Sequence, residues 1–226
     1  MKKSRGSTFR NNKQRVKTAQ GRKISSTQWL KRHLNDPYVQ LAKAKGYRSR
    51  AAFKLQEILE KFPELKKFKT VVDLGCAPGG WLQIIKQEMP AAKLIGVDLK
   101  VVEEVEGAFL IQGDFLLPDT GELLHAALEG AKVELLLSDM AANSSGDSDV
   151  DHVRNVELIE VALEFALQHL QTGGAFVCKV LQGRQQEVLL MRIKTLFNKV
   201  KHFKPPTSYA DSTEIFMVAQ GFRIKS

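Results

Sequence analysis

Apolar and polar positions along the chain alternate between two periods. Apolar runs bounded by turn residues occupy 69–74, 93–98, 107–111, 133–138, 175–181 and 214–219, and read as strands. Between them, apolar residues recur at helical spacing over 81–88, 118–130, 150–170 and 185–198. Upstream, 25–47 reads as a helical entry segment, and Gly46 to Ser49 breaks it, with Ser49 placed to cap the next helix. That helix, 50–62, turns Ala51, Leu55, Ile58, Leu59 and Phe62 inward. Gly173-Gly174 is expected to end the long helix and start the strand after it. Residues 199–204 read as a basic stretch before a Pro205-Pro206 turn. Strands alternating with helices, with no internal repeat, predict an α/β, doubly wound, mainly parallel sheet.

One stretch stands out, Val71-Val-Asp-Leu-Gly-Cys-Ala-Pro-Gly-Gly-Trp81. A strand apolar on both faces runs into a Gly-x-x-x-Gly-Gly turn and then a helix. The glycines allow a tight turn and close approach of a ligand to the helix N-terminus. The spacing differs from Gly-x-Gly-x-x-Gly, and the Lys-Ser/Thr of a phosphate-binding loop is missing. Asp98 ends the next strand, where Rossmann-like sheets meet a ribose hydroxyl. A nucleoside cofactor without a pyrophosphate fits these features, and S-adenosylmethionine is the obvious candidate. Alone, a strand, glycine turn and helix are common architecture.

Charge sharpens the picture. The 226 residues carry a formal net charge of +9, from 34 Lys/Arg and 25 Asp/Glu. Nine of the basic residues and no acid lie in 1–23, so the remaining basic and acidic residues cancel. Such a tail is too polar to fold alone and suits phosphate contacts, the plainer reading being a solvated arm. No apolar run is long enough for a membrane span, and no apolar signal core follows the basic N-terminus. Cys76 and Cys178 form no metal-ligand pattern with the five scattered histidines. The expectation is a cytoplasmic protein with no metal, no membrane partner and two packing thiols.

Asp73, Asp98, Asp114 and Asp139 all fall at or just past strand ends, where ligands bind in such sheets. One strand-end acid is commonly a turn former, whereas four suggest a lined cleft. Asp98 would hold the ribose, Asp114 the adenine edge, and Asp139 the methionine side or the reacting centre. Lys179 interrupts an apolar strand, where an unpaired ammonium is costly. It is either a strand-end lysine reaching solvent or a base in a dry cleft. Lys54, at the margin of its helix's apolar stripe, either snorkels outward or points into the cleft. Glu214 opens an apolar strand and alone is unremarkable.

Together with the glycine turn, Lys54 in Arg-Ser-Arg-Ala-Ala-Phe-Lys, Asp139 in Ser-Asp-Met-Ala, Lys179 in Phe-Val-Cys-Lys-Val and Glu214 in Ser-Thr-Glu-Ile-Phe form an ordered Lys-Asp-Lys-Glu set. This resembles the RrmJ/FtsJ family of ribose 2'-O-methyltransferases, over about 25–221, and within it the bacterial ribosomal-RNA branch. The resemblance implies a Rossmann-like S-adenosylmethionine-dependent methyltransferase fold with a seven-stranded, mostly parallel sheet flanked by helices. It implies one domain over 24–226, with 24–62 as a substrate-side entry segment behind the basic tail 1–23. It further implies that Gly79, Trp81, Asp98, Asp114 and Asp139 contact S-adenosylmethionine. Lys179 would take the 2'-hydroxyl proton, and Asp139 and Glu214 would orient the lysines. Lys54 would position the ribose or repel the charge on Lys179. The implied substrate is a uridine in the A loop of 23S rRNA within the large ribosomal subunit, and the implied state a monomer. Ala142-Asn143 departs from the family's usual Pro-Asn at a loop without a proposed reacting group. The alternatives are 2'-O-methylation of tRNA or another RNA, and a non-catalytic S-adenosylmethionine- and RNA-binding assembly factor. RNA contacts are expected from the tail, from Lys31, Arg32, Lys43, Lys45, Arg48 and Arg50, and from Arg192, Lys194, Lys199, Lys201 and Lys204.

Overall fold

A computed structural model of the chain describes residues 31–32, 34–142, 145–182 and 187–223. The basic tail and the start of the entry segment lie outside the described residues. Seven strands form one sheet: β1 (Thr70–Leu74), β2 (Lys93–Asp98), β3 (Ala108–Gln112), β4 (Val133–Ser138), β5 (Leu170–Leu181), β6 (Phe197–Phe203) and β7 (Glu214–Phe222). Their order is β3-β2-β1-β4-β5-β7-β6, parallel from β3 to β5, with β7 antiparallel to both its neighbours. The strand order reverses direction between β1 and β4, and the carboxyl ends there open the crevice in which such sheets bind ligands.

The inner strands β1, β2, β4, β5 and β7 are largely apolar on both faces because both faces are covered. On one face Val71, Leu135, Leu137, Ala175, Val177, Phe216 and Val218 pack under α2 (Ala51–Lys61) and α3 (Gly80–Glu88), chiefly through Leu55, Ile58, Leu59, Leu82 and Ile85, while α1 (Pro37–Ala44) packs against α2. On the other, Val72, Leu136, Phe176, Cys178 and Met217 pack under α4 (Pro118–Leu128), α5 (Ser148–His169) and α6 (Glu187–Leu196). Both cysteines are free and buried, and burial pushes both thiols up, which fits packing rather than reactivity.

Three expectations need correction. Gly173 and Gly174 lie inside β5, at a register shift between its Val133–Leu170 and Leu135–Ala175 pairings. Gly173 has φ +82°, and a Cβ on Gly174 would stand 2.9 Å from the carbonyl oxygens of Gln171 and Glu134. The pair therefore makes a bulge, and the helix ends at His169 without glycine. The basic stretch is an edge strand, β6, paired to β7 alone among the described residues. Its apolar residues Phe197, Val200 and Phe203 stand three apart and mimic a helix, while Lys199 and Lys201 face out as edge charges do. Ser49 does not cap α2: the capping position is Arg50, and the Ser49 hydroxyl is buried without a hydrogen-bond partner among the described residues. It lies against Gly80, where a Cβ would come within 2.6 Å of Ser49 Oγ, so the close approach of two helix N-termini has taken its place.

Among the described residues, no helix is long and apolar enough to cross a membrane. No group of three His, Cys, Asp or Glu could hold a metal ion among them.

Candidate active site

Side-chain alternation carries a cluster of charges to one place. In β4, β5 and β7, neighbours in the sheet, the residues on the α2 side continue past Leu137, Val177 and Phe216 to Asp139, Lys179 and Glu214. Register sets their depth. Ser138 pairs with Cys178, which puts Asp139 level with Lys179, and Leu181 pairs with Glu214 two register pairs further on. Lys179 Nζ donates to Asp139 Oδ1 at 2.8 Å and to the Asp139 carbonyl at 2.6 Å. Lys54 reaches down from α2 and its Nζ lies 2.6 Å from Glu214 Oε1. Lys179 is 8% exposed and Lys54 9%, so neither lysine snorkels outward. Phe216, the register partner of Lys179, separates the two pairs, with Lys54 Nζ 5.7 Å from its ring centre. The result is two ammonium–carboxylate pairs side by side at the edge of a cleft.

The glycine turn lies on the other side of Asp139. Gly75 has φ +74° and Gly79 φ +102°, conformations that favour glycine, and Gly79 N–H closes the turn on the Cys76 carbonyl at 2.7 Å. The first-turn amides of α3 then point out of the turn without intrahelical acceptors. Asp98 faces them from the end of β2: Oδ2 accepts from Ala77 N and Oδ1 from Lys100 N, both at 2.8 Å. The Asp98 carbonyl also accepts from Gly113 N, which holds Asp114 beside it. Asp114 Oδ1 accepts from Leu116 N at 3.0 Å, a turn-forming bond that leaves its second oxygen available. Trp81 is 3% exposed, donates its indole N–H to the Ala51 carbonyl at 2.9 Å and packs on Phe216. Its side chain belongs to the core, so Trp81 can offer a ligand only its backbone.

A residue outside the expected set emerges at the centre. Asp73 is 1% exposed, and both its carboxylate oxygens are buried without a hydrogen-bond partner among the described residues. Burial, and then the charges of Asp139 and Asp98, hold its carboxyl well above the usual aspartate range. Its place at a strand end marked it as one acid of four; its isolation depends on packing that no local pattern reveals.

The family model for FtsJ-like methyltransferases matches residues 47–222, which takes in the glycine turn and all four charged residues. The chain belongs to the FtsJ-like methyltransferase family. It is 51% identical over 214 residues to the ribosomal RNA large subunit methyltransferase E of Novosphingobium aromaticivorans, covering 95% of this chain and 96% of that one. The protein of the same name from Zymomonas mobilis is 50% identical over 210 residues, covering 93% and 95%. Among solved structures, a protein described as a ribosomal RNA methyltransferase from Plasmodium falciparum superposes with a TM-score of 0.72 at 32% identity. That match covers 79% of this chain and all of the other. The seven-stranded, mostly parallel sheet is the Rossmann-like fold of this family.

Seen in this FtsJ-like chain, several basic residues have work inside the protein. The Arg48 guanidinium donates to the carbonyls of Pro78, Glu103 and Glu104, strapping the entry segment to the glycine turn. Arg50 donates to the Thr207 carbonyl and stacks 3.9 Å from the centre of the Tyr209 ring. Lys204 Nζ donates to the carbonyls of Ala210 and Ser212. These three position loops, and an RNA strand would find them already engaged. Arg32 pairs with Asp211, Arg192 with Glu164 and Lys199 with Glu64, all at half-exposed sites where exchange for phosphate costs little.

Proposed function

We propose that this chain transfers the methyl group of S-adenosylmethionine to the ribose 2'-hydroxyl of a uridine in the A loop of 23S rRNA. The observation that carries the reading is the pair of buried ion pairs, Lys54–Glu214 and Lys179–Asp139, beside a glycine turn ringed by acids. The names of the relatives, which specify large-subunit ribosomal RNA, support the substrate class.

The residues present fit S-adenosylmethionine. Asp98 at the end of β2 suits ribose hydroxyls, Asp114 the adenine edge, and the backbone of Gly79 and Trp81 the approach to the turn. Asp139 puts negative charge where a cationic methionine end would lie, and Asp73, whose carboxyl has no hydrogen-bond partner among the described residues, would ionise only with that cation beside it. When bound, the cofactor supplies an electrophilic methyl group on a positively charged sulfur.

The chain's own task is to position a ribose hydroxyl in line and remove its proton, because a neutral alcohol is a weak nucleophile. Lys179, reacting as the neutral amine, takes that proton on its lone pair and becomes the ammonium that Asp139 balances. Asp139 holds the Lys179 amine by side chain and carbonyl, fixing the direction of the remaining position on nitrogen toward the substrate. Lys54, held by Glu214, hydrogen-bonds the ribose from the α2 side. The substrate nucleotide must present its ribose, so a loop is the suitable target.

The test offers methyl-labelled S-adenosylmethionine to unmodified large subunits, small subunits and tRNA, followed by digestion to nucleosides. The reading expects 2'-O-methyluridine from 23S rRNA alone. Label confined to tRNA, or on a base, contradicts it.

A further inference from the structure

Glu214 carries half of the Lys54 pair, yet it stands at the first residue of β7, directly after a ten-residue connection from β6. A strand's first residue is held by its ladder on one side only, so its side chain needs a second anchor. That anchor is the connection itself. Ser208 Oγ donates to Glu214 Oε1 at 3.0 Å, the same oxygen that Lys54 approaches at 2.6 Å. Thr207, next to Ser208 and 1% exposed, is held in turn by Glu57: its amide donates to Oε2 at 3.0 Å and its hydroxyl to Oε1 at 2.5 Å.

Glu57 lies three residues after Lys54 on α2, so one helical turn presents both. The helix thus grips β7 at two points, through Lys54 on Glu214 and through Glu57 on the residue that sets Ser208. We propose that Glu57, Thr207 and Ser208 are positioning residues that register Lys54 against Glu214 for the methyl transfer. This rests on the reading of the two ion pairs as the reacting site. The same connection is tied at its next residue by Tyr209, whose hydroxyl donates to Asp36 Oδ2 at 2.6 Å while Arg50 covers its ring. A second tether keeps the loop folded when the first is cut, so cutting Glu57–Thr207 loosens Ser208 without releasing the loop. Glu57 and Thr207 touch no proposed cofactor or substrate group, so their influence passes through Glu214 and Lys54.

The experiment measures single-turnover methyl transfer by Thr207→Val, Thr207→Ser and Glu57→Gln, each also combined with Lys54→Ala. Thr207→Val keeps volume and removes the hydroxyl. It should slow transfer about tenfold to hundredfold, the range for a small misplacement of a reacting group. It should also change the shape of the pH–rate profile and leave S-adenosylmethionine affinity as in the parent. Thr207→Ser should restore the rate. In the Lys54→Ala background the Thr207→Val and Glu57→Gln costs should vanish, because the group they position is gone. Parental rates and pH profile in Thr207→Val, a full cost persisting without Lys54, or failure of Thr207→Ser to restore would each overturn the proposal. If the parent methylates no RNA, this proposal and the functional reading fall together; if the parent is active, the proposal falls alone.

Discussion

Asp73 is the residue whose physics is most unusual. A fully buried carboxyl without a hydrogen-bond partner keeps its proton more tightly in the folded chain than in the unfolded one. Its contribution to stability is therefore complete below the ordinary aspartate range, near pH 3.9. It is lost as pH rises toward the higher folded value, because ionisation in place is costly. Asp73→Asn cannot ionise and escapes that loss. In the cofactor-free protein the stability of the variant relative to the parent should rise as pH increases from 5 to 8. Urea unfolding at pH 5 and pH 8 checks this, since every other acid cancels in the difference. A difference that is the same at both pH values would contradict the assignment. The substitution should also weaken S-adenosylmethionine binding, as it removes a buried carboxyl that would ionise beside the cationic cofactor.

At the scale of elements, the site is a product of alternation in three adjacent strands and of one helix laid across them. That is why so much of it was legible. Lys179, Asp139 and Glu214 stand in phase with the apolar residues of their strands, so any chain that pairs β4, β5 and β7 brings them together. The turn was equally legible, because positive φ at Gly75 and Gly79 leaves few alternatives. Features that depend on contacts between distant segments were not. Ser49 has the chemistry of a cap and lost that role to the approach of Gly80; β6 carries apolar residues at helix-like spacing, and only its pairing to the distant β7 makes it a strand. Arg48 illustrates the consequence. Basic composition suggested phosphate, whereas three backbone carbonyls hold its guanidinium over the turn. A Cβ on Gly79 would stand 2.7 Å from Arg48 Nη1. Gly79→Ala should therefore displace that strap as well as strain the turn, weakening S-adenosylmethionine binding about tenfold or more, given the roughly 1–2 kcal/mol of a left-handed non-glycine residue. Arg48→Ala should reproduce part of the loss with the turn intact. Calorimetric titration measures both, and unchanged affinity in the pair would refute the strap.

For the whole molecule, charge and chemistry are divided along the chain. The chain beyond residue 23 is balanced in formal charge, and the excess lies in the residues before it. Counterion release makes each phosphate contact visible as salt dependence. Removing residues 1–23 should flatten the plot of log affinity against log salt for RNA while leaving S-adenosylmethionine affinity unchanged; an unchanged slope would assign the tail no phosphate contact. The central claim concerns the chemistry that remains. Its most direct test supplies labelled S-adenosylmethionine to unmodified large ribosomal subunits with the parent protein and with Lys179→Ala, cofactor binding being verified for both. The account predicts 2'-O-methyluridine from the parent and none above background from the variant. Equal labelling by the two would show that Lys179 does not take the proton, and the assignment of the paired charges would have to be abandoned.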